Sequence, residues 1–242
     1  MFHFNQFSVS HSQSSMKVGT DAVLLGCLAD VSGHSILEIG CGCGVISLML
    51  AQRFPAANIT AIDIHKASTE EATQNFKNSP WHNRLHADHT SLQELAETGL
   101  QTFDVIISNP PFFSKSLHSP DADRTNARHT TTLTYDDLVR CSEKLLTPQG
   151  RSTVIIPTLE LPHFKQSIAQ SKLHIHEILH IFGVDRKLSK RVIVECGFEQ
   201  KTVVEQSFYL HNSHKTNHPN NPYNYSDEYF ALVKDFLCIG GM

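Results

Sequence analysis

The sequence predicts an α/β fold with a mostly parallel, doubly wound sheet that finishes in antiparallel C-terminal edge strands. Three observations predict it. Over the first two-thirds of the chain, short apolar runs alternate with helical patterns, and Gly or Pro closes several of them. Such alternation builds a parallel sheet covered on both faces. One of those runs enters three alternating glycines. The last third then changes character, with three strand-like runs and little helix between them.

Taken in order, residues 35–39 form a short strand ending at Gly40, and 45–54 a helix stopped by Pro55. Residues 58–64, rich in Ile, Thr and Ala, read as the next strand. Residues 66–78 read as a helix stopped before Pro80, 84–87 as a short strand, and 103–108 as a buried strand ended by Asn-Pro-Pro. Residues 135–146 are helical in period, with Thr147-Pro148-Gln149-Gly150 as a stop, and 152–156 is again a strand. In the tail, 175–184, 191–195 and 203–210 read as strands, the first two joined by a polar hairpin-like link at 185–190. A polar loop at 211–225 leads to Ser226, an N-cap for a helix at 227–236 with acids in its first turn. A single domain covers 1–242, with an N-terminal segment at 1–34, a core at 35–157 and C-terminal strands and helix at 174–242.

The chain has 242 residues, 20 basic and 24 acidic side chains, and a net charge of −4. That balance excludes a polycation that grips nucleic acid by bulk charge, so any such surface is a local patch. No run approaches the ~18 apolar residues of a membrane-spanning helix. No secretory leader is expected from MFHFNQFSVS. Six cysteines are too sparse for a disulfide scaffold, and a reduced cytoplasmic protein is expected. A monomer is the working expectation, on which the sequence itself is silent. The 16 histidines show no convincing ligand set, so no metal is expected.

The glycine loop is the strongest local signal. Glu38-Ile39-Gly40-Cys41-Gly42-Cys43-Gly44 carries the spacing G-x-G-x-G, not the G-x-G-x-x-G of a dinucleotide fingerprint. Gly40, Gly42 and Gly44 permit a tight turn and close approach of a ligand to the backbone. Glu38, just before the loop, disfavours phosphate and suits an ammonium. Asp63 ends the next strand, 19 residues after Gly44, where a carboxylate accepts from ribose hydroxyls. Asp88 follows the third strand and is placed to face an adenine edge. A ligand with a ribose, an amine and no phosphate fits this set, and S-adenosyl-L-methionine is such a ligand. Cys41 and Cys43 read as small residues in a crowded turn.

Ser108-Asn109-Pro110-Pro111-Phe112-Phe113 closes the fourth strand. The Asn109 side-chain oxygen and the Pro110 carbonyl are two acceptors for one planar –NH2 group, and Phe112 or Phe113 stacks its ring, a contact worth about 1–3 kcal/mol for a nucleobase. Such an amine is a weak nucleophile because its lone pair is shared with the ring. Two acceptors on its protons return density to nitrogen and strengthen as charge develops there.

These residues, Glu38–Gly44, Asp63 and Asn109–Phe112, resemble the class I S-adenosylmethionine-dependent methyltransferases that modify planar amino groups, which are Rossmann-like. The match extends further. Phe4-x-Gln6-Phe7, Met16-Lys17-Val18-Gly19-Thr20-Asp21, Leu24-Leu25-Gly26, Ala127-Arg128-His129 and the closing stretch 225–237 resemble the bacterial tRNA adenine-N(6) methyltransferases of valine tRNA. Those enzymes act on the adenine immediately 3′ of the anticodon. The resemblance implies that Gly40, Gly42 and Gly44 line the cofactor, with Asp63 on its ribose and Asp88 on its adenine. It implies that Asn109 and Pro110 hold the target amine while Phe112 stacks the base. It also implies a closing segment over the methionine end, where Lys17, Thr20 and Asp21 stand.

Two stretches are expected to meet RNA. Residues 114–133 form a long aperiodic stretch after the Asn-Pro-Pro turn and carry Arg128. Residues 185–191, DRKLSKR, supply Arg186, Lys187, Lys190 and Arg191 against one acid. Three rivals remain at this point. The same chemistry serves ribosomal RNA bases or a release-factor glutamine. An NAD-dependent oxidoreductase is disfavoured by the glycine spacing. A non-catalytic RNA-binding protein is disfavoured by the intact Asn-Pro-Pro-Phe.

Overall fold

The computed structural model describes residues 1–14, 17–110, 133–184, 187–214, 221 and 223–237. Its centre is an eight-stranded sheet. The strands are β3 (Ser35–Ile39), β4 (Asn58–Asp63), β5 (Leu85–His89), β6 (Phe103–Ser108), β7 (Leu146–Pro157), β8 (His174–Phe182), β9 (Ser189–Gly197) and β10 (Val204–Tyr209). Their spatial order is β10-β8-β9-β7-β6-β3-β4-β5. A small antiparallel hairpin of β1 (Phe2–His3) and β2 (Ser8–Val9) precedes them.

Alternation along the central strands splits the core in two. Ile36, Ile59, Ala61, Val105, Ile107 and Ile155 face one layer; Leu37, Ile39, Ile62, Ile106, Val154 and Ile156 face the other. The first layer holds α1 (Thr20–Leu28), α2 (Val45–Arg53), α3 (Lys66–Lys77) and α7 (Asp227–Val233). The second holds α4 (Leu92–Thr98), α5 (Tyr135–Leu145) and α6 (Leu161–Ala169). Both faces of the parallel strands are therefore covered. No helix among the described residues is long and apolar enough to cross a membrane.

The α/β reading and the central strands agree with the sequence, but the tail needs correction. Only β9 is antiparallel: it pairs antiparallel with both β7 and β8, while β10 lies parallel to β8 at the sheet edge. The reason is connectivity. Strand β9 runs back to the amino end of the sheet, and the chain then passes β8 and starts upward again as β10. Thr147-Pro148-Gln149-Gly150 is also not a helix-ending turn outside the sheet. It is a bulge within β7, where Leu146 to Arg151 spans the same partner stretch as Phe103 to Val105. Helix α5 runs directly into that strand.

Two arginines finish the first helices. Arg53 Nη1 donates to the Gly26 and Ala29 carbonyls at the end of α1, at 2.9 and 2.8 Å. Arg84 donates to the carbonyls of Ala51, Phe54 and Ala57 at the end of α2. Both satisfy orphan acceptors and oppose the negative helix terminus. Arg84→Ala is expected to lower stability by about 1–3 kcal/mol in urea unfolding. A loss below about 0.5 kcal/mol would show that water replaces it.

Candidate active site

Strand β3 lies at the centre of the crevice. Its crossover partners diverge: β4 lies on one side and β6 on the other, both parallel to it. Ligands of open α/β sheets bind beyond the carboxyl ends at such a point. Ile39 is level with Ile62 and with Ser108. The loop at Gly40, Asp63 at the end of β4, and Asn109 after β6 therefore rise side by side, on strands about 4.8 Å apart.

The loop is built to leave space above and none below. Gly40 and Gly42 have φ of +70° and +53°, and a Cβ at either would meet nothing within 4 Å. Gly44, with φ +78°, backs onto α3, where a Cβ would stand 2.5 Å from the Phe76 ring. The Gly40 and Cys41 amides donate to the Ile62 carbonyl at 2.8 and 3.0 Å. Asp63 Oδ2 accepts from the Gly42 amide at 2.9 Å, and Oδ1 from its own turn at His65 N, 2.8 Å. A carboxylate has about four acceptor positions, so Asp63 keeps capacity for ligand hydroxyls.

Glu38 does different work from that expected. It is 1% exposed, and its carboxylate accepts from the Ser47 amide at 2.9 Å and from the Ser47 hydroxyl in the first turn of α2. Burial pushes its carboxyl up to about 7, against the two Ser47 hydrogen bonds, and Asp63 adds to the rise. Cys41 and Cys43 are buried thiols; burial raises the first well above its ordinary value and the second to about 12. They pack as small neutral residues.

Asn109 is half-buried, and its Oδ1 is out of contact with solvent and has no hydrogen-bond partner among the described residues. An orphaned acceptor of this kind is costly unless a ligand supplies the donor. Ser108 below it is buried and donates its hydroxyl to the Ile39 carbonyl at 3.0 Å, locking β6 to β3. Pro110 is buried. Phe112, Phe113, Arg128 and Arg186 lie outside the described residues.

Other expected residues are placed as follows. Asp88 lies inside β5, not after it, and its carboxylate meets His86 Nε2 at 2.8 Å on the same strand face. Lys17 and Thr20 are exposed, and Thr20 opens α1. Lys187 and Lys190 are exposed on the β8–β9 hairpin, which emerges at the same carboxyl edge as the crevice. Arg191 has another partner: its Nε donates to Asp21 Oδ2 at 2.8 Å, bracing β9 against α1. Sequence reasoning missed Glu71 and Asn75. Both are buried on α3 and hold residues 10–14 by hydrogen bonds across about 60 positions of sequence.

Similarity to known proteins shows the family. The methyltransferase small domain family matches residues 3–171. A tRNA1(Val) (adenine(37)-N6)-methyltransferase of Vibrio vulnificus is 37% identical, covering 97% of this chain and 94% of its own. Its namesake in Phocaeicola vulgatus is 40% identical, with 97% and 96% covered. The chain belongs to the tRNA1(Val) (adenine(37)-N6)-methyltransferase family. Membership sets aside the oxidoreductase reading. Among solved structures, a predicted O-methyltransferase from Agrobacterium tumefaciens superposes with a TM-score of 0.65 at 17% identity, covering 89% of this chain and 96% of that one. A ribosomal protein L11 methylase from Lactobacillus delbrueckii gives 0.51 at 20% identity, over 74% and 77%. At those identities the likeness is one of fold: the class I methyltransferase sheet.

The buried Glu38 carboxyl makes stability depend on pH. Its ordinary value is 4.5 and its folded value about 7. Between these, the folded protein holds a proton that the unfolded chain has released. Stability therefore falls as pH rises through that window. Urea unfolding from pH 5 to pH 8 is expected to show this decline, and Glu38→Gln to remove that part of it. A pH dependence identical in both proteins would contradict the assignment.

Proposed function

We propose that this protein transfers the methyl group of S-adenosyl-L-methionine to the exocyclic N(6) amine of the adenine immediately 3′ of the anticodon in valine tRNA. Near-full-length kinship with enzymes named for that reaction is the observation that carries the reading. The crevice fits the cofactor on its own terms. It offers open glycine backbone at Gly40 and Gly42 and spare acceptors on Asp63. When bound, S-adenosyl-L-methionine supplies a methyl group on a sulfonium, a good leaving group.

The remaining work falls to this chain. Gly40 and Gly42 admit the cofactor to the backbone, Gly44 packs the loop onto α3, and Asp63 takes the ribose hydroxyls. Asn109 Oδ1 and the Pro110 carbonyl accept the two protons of the adenine amine. That polarises nitrogen toward the methyl group and strengthens as positive charge forms there. No strong base is needed, because the methylated amine loses its proton readily to solvent. Phe112 stacks the target base. An anticodon-loop adenine is already unpaired, so stacking and edge contacts reach it at modest cost. Lys187 and Lys190 meet phosphates of the same RNA from the hairpin at the carboxyl edge.

Methyl-labelled cofactor, unmodified valine tRNA and nucleoside mass spectrometry test the reaction directly. N(6)-methyladenine beside the anticodon is the expected product. Label absent from tRNA while cofactor still binds would redirect the chemistry to another planar amine.

The roles separate by mutation. Asn109→Ala is expected to lower turnover by about 10²–10³-fold with cofactor Kd little changed, the scale seen when one transition-state hydrogen-bonding group is removed. Asp63→Ala is expected to weaken cofactor first, because it loses ribose contacts and the Gly42 amide together. Equal effects of the two variants on cofactor Kd would refute this division. Replacing Lys187 and Lys190 together by Ala is expected to weaken tRNA binding and reduce the slope of log K against log salt by about 1–2. An unchanged slope would remove the hairpin from the RNA surface.

A further inference from the structure

Residues 10–14 hang on one buried carboxylate. Glu71 of α3 is 7% exposed. It accepts from the Ser10 hydroxyl at 2.8 Å, the Ser12 amide and hydroxyl at 2.7 and 3.1 Å, the Gln13 amide at 3.1 Å, and the Ser14 amide and hydroxyl at 2.9 and 2.6 Å. Burial alone would raise this carboxyl. The hydrogen bonds from Ser14, Ser10, Gln13 and Ser12 outweigh burial and hold it at about 2, so it is ionised at any working pH. A charge invested this heavily in one short segment fixes that segment's path.

Asn75 stands one helical turn further on the same face of α3. Its Oδ1 accepts from the Ser10 amide at 2.9 Å, and its Nδ2 donates to the Ser10 carbonyl at 2.8 Å. The same Nδ2 donates to the Cys43 carbonyl within the glycine loop at 2.9 Å. The strap and the loop therefore share one helix face and one side chain. Downstream, the Val18 amide donates to His11 Nδ1 at 3.0 Å, so the far end of the strap is tied back to its start. Thr20 and Asp21 follow at once, opening α1.

We infer that Glu71 is a positioning residue for cofactor binding: by holding residues 10–14 against α3 it fixes, before the ligand arrives, the strap that Asn75 links to the glycine loop. The inference rests on the reading of the glycine loop as the S-adenosyl-L-methionine site. Without the carboxylate, binding must order this segment itself, and affinity falls by that cost. Glu71 has no contact with the reacting atoms in this scheme, so turnover at saturating cofactor is left alone.

Titration calorimetry with S-adenosyl-L-methionine on the full chain tests this, alongside steady-state kinetics with tRNA. Glu71→Gln keeps the volume but turns an amide nitrogen toward some of the strap's donors. It is expected to raise cofactor Kd and KM at least tenfold while kcat and the KM for tRNA stay within about twofold. Glu71→Asp, which keeps the charge, is expected to recover part of the affinity. Ser12→Ala with Ser14→Ala removes two donors from the other side without touching α3, and is expected to raise cofactor Kd in the same direction. Hydrogen exchange is expected to quicken at the Ser12, Gln13 and Ser14 amides in each weakened variant. Faster exchange with unchanged cofactor Kd would overturn the inference and leave Glu71 a structural tether. A uniform fall in every kinetic parameter would overturn it too. Wild-type protein that binds no cofactor overturns the reading of the glycine loop itself, and the inference with it.

Discussion

The crevice depends on two carboxylates that hold a glycine loop from below. Asp63 draws in the Gly42 amide, and Glu38 holds Ser47 at the start of α2. The three glycines pass through left-handed backbone that other residues resist, and nothing in their own side chains keeps them there. The acids supply that hold from adjacent strands. Phe76 and Ala72 close the underside, so the loop can neither sink toward α3 nor admit a larger residue at Gly44. What faces the open side is bare backbone, which a ligand can approach closely.

Much of this was legible in the sequence, because the signals were local. Strands 103–108 and 35–39 appear at their expected bounds, since each is a short apolar run closed by a backbone-specific residue. The Ser226 cap is real: its hydroxyl accepts from the Tyr229 amide at 3.1 Å. Helix α1 was not legible, because it is buried nearly all round and shows no polar stripe. Helix α4 was missed despite its capping box of Ser91 and Glu94, since seven residues give little periodicity. The direction of β10 was out of reach as well. Parallel and antiparallel edge strands carry the same alternation, and only the route of the chain past β8 decides between them.

At the site, residue types were legible and partners were not. Gly40, Asp63 and Asn109 declare themselves by standing at the ends of three strand-like runs, β3, β4 and β6, which the sheet sets side by side. Glu38 reads from sequence as a charge facing a ligand, yet Ser47, nine residues on, accounts for the hydrogen bonds its carboxylate makes. Arg191 reads as one of a basic cluster, but Asp21, 170 residues earlier, meets it. Glu71 looks like one more acid on an exposed helix until the serines it gathers arrive from the far end of the chain. Contacts this distant leave no period and no motif.

Among the described residues, strand β8 pairs only with β9 and β10. It is therefore made before either strand that can attach it to the sheet. As the chain leaves the ribosome, β7 stands with one unpaired edge, and β8 has nowhere to dock until residues 189–197 emerge. An open edge is a template for another chain. The cofactor half can assemble early, but a chain halted before Ser189 carries a sheet with a missing tooth. The last quarter of the polypeptide is thus what makes the first three-quarters safe in a crowded cell, whatever it also does for RNA.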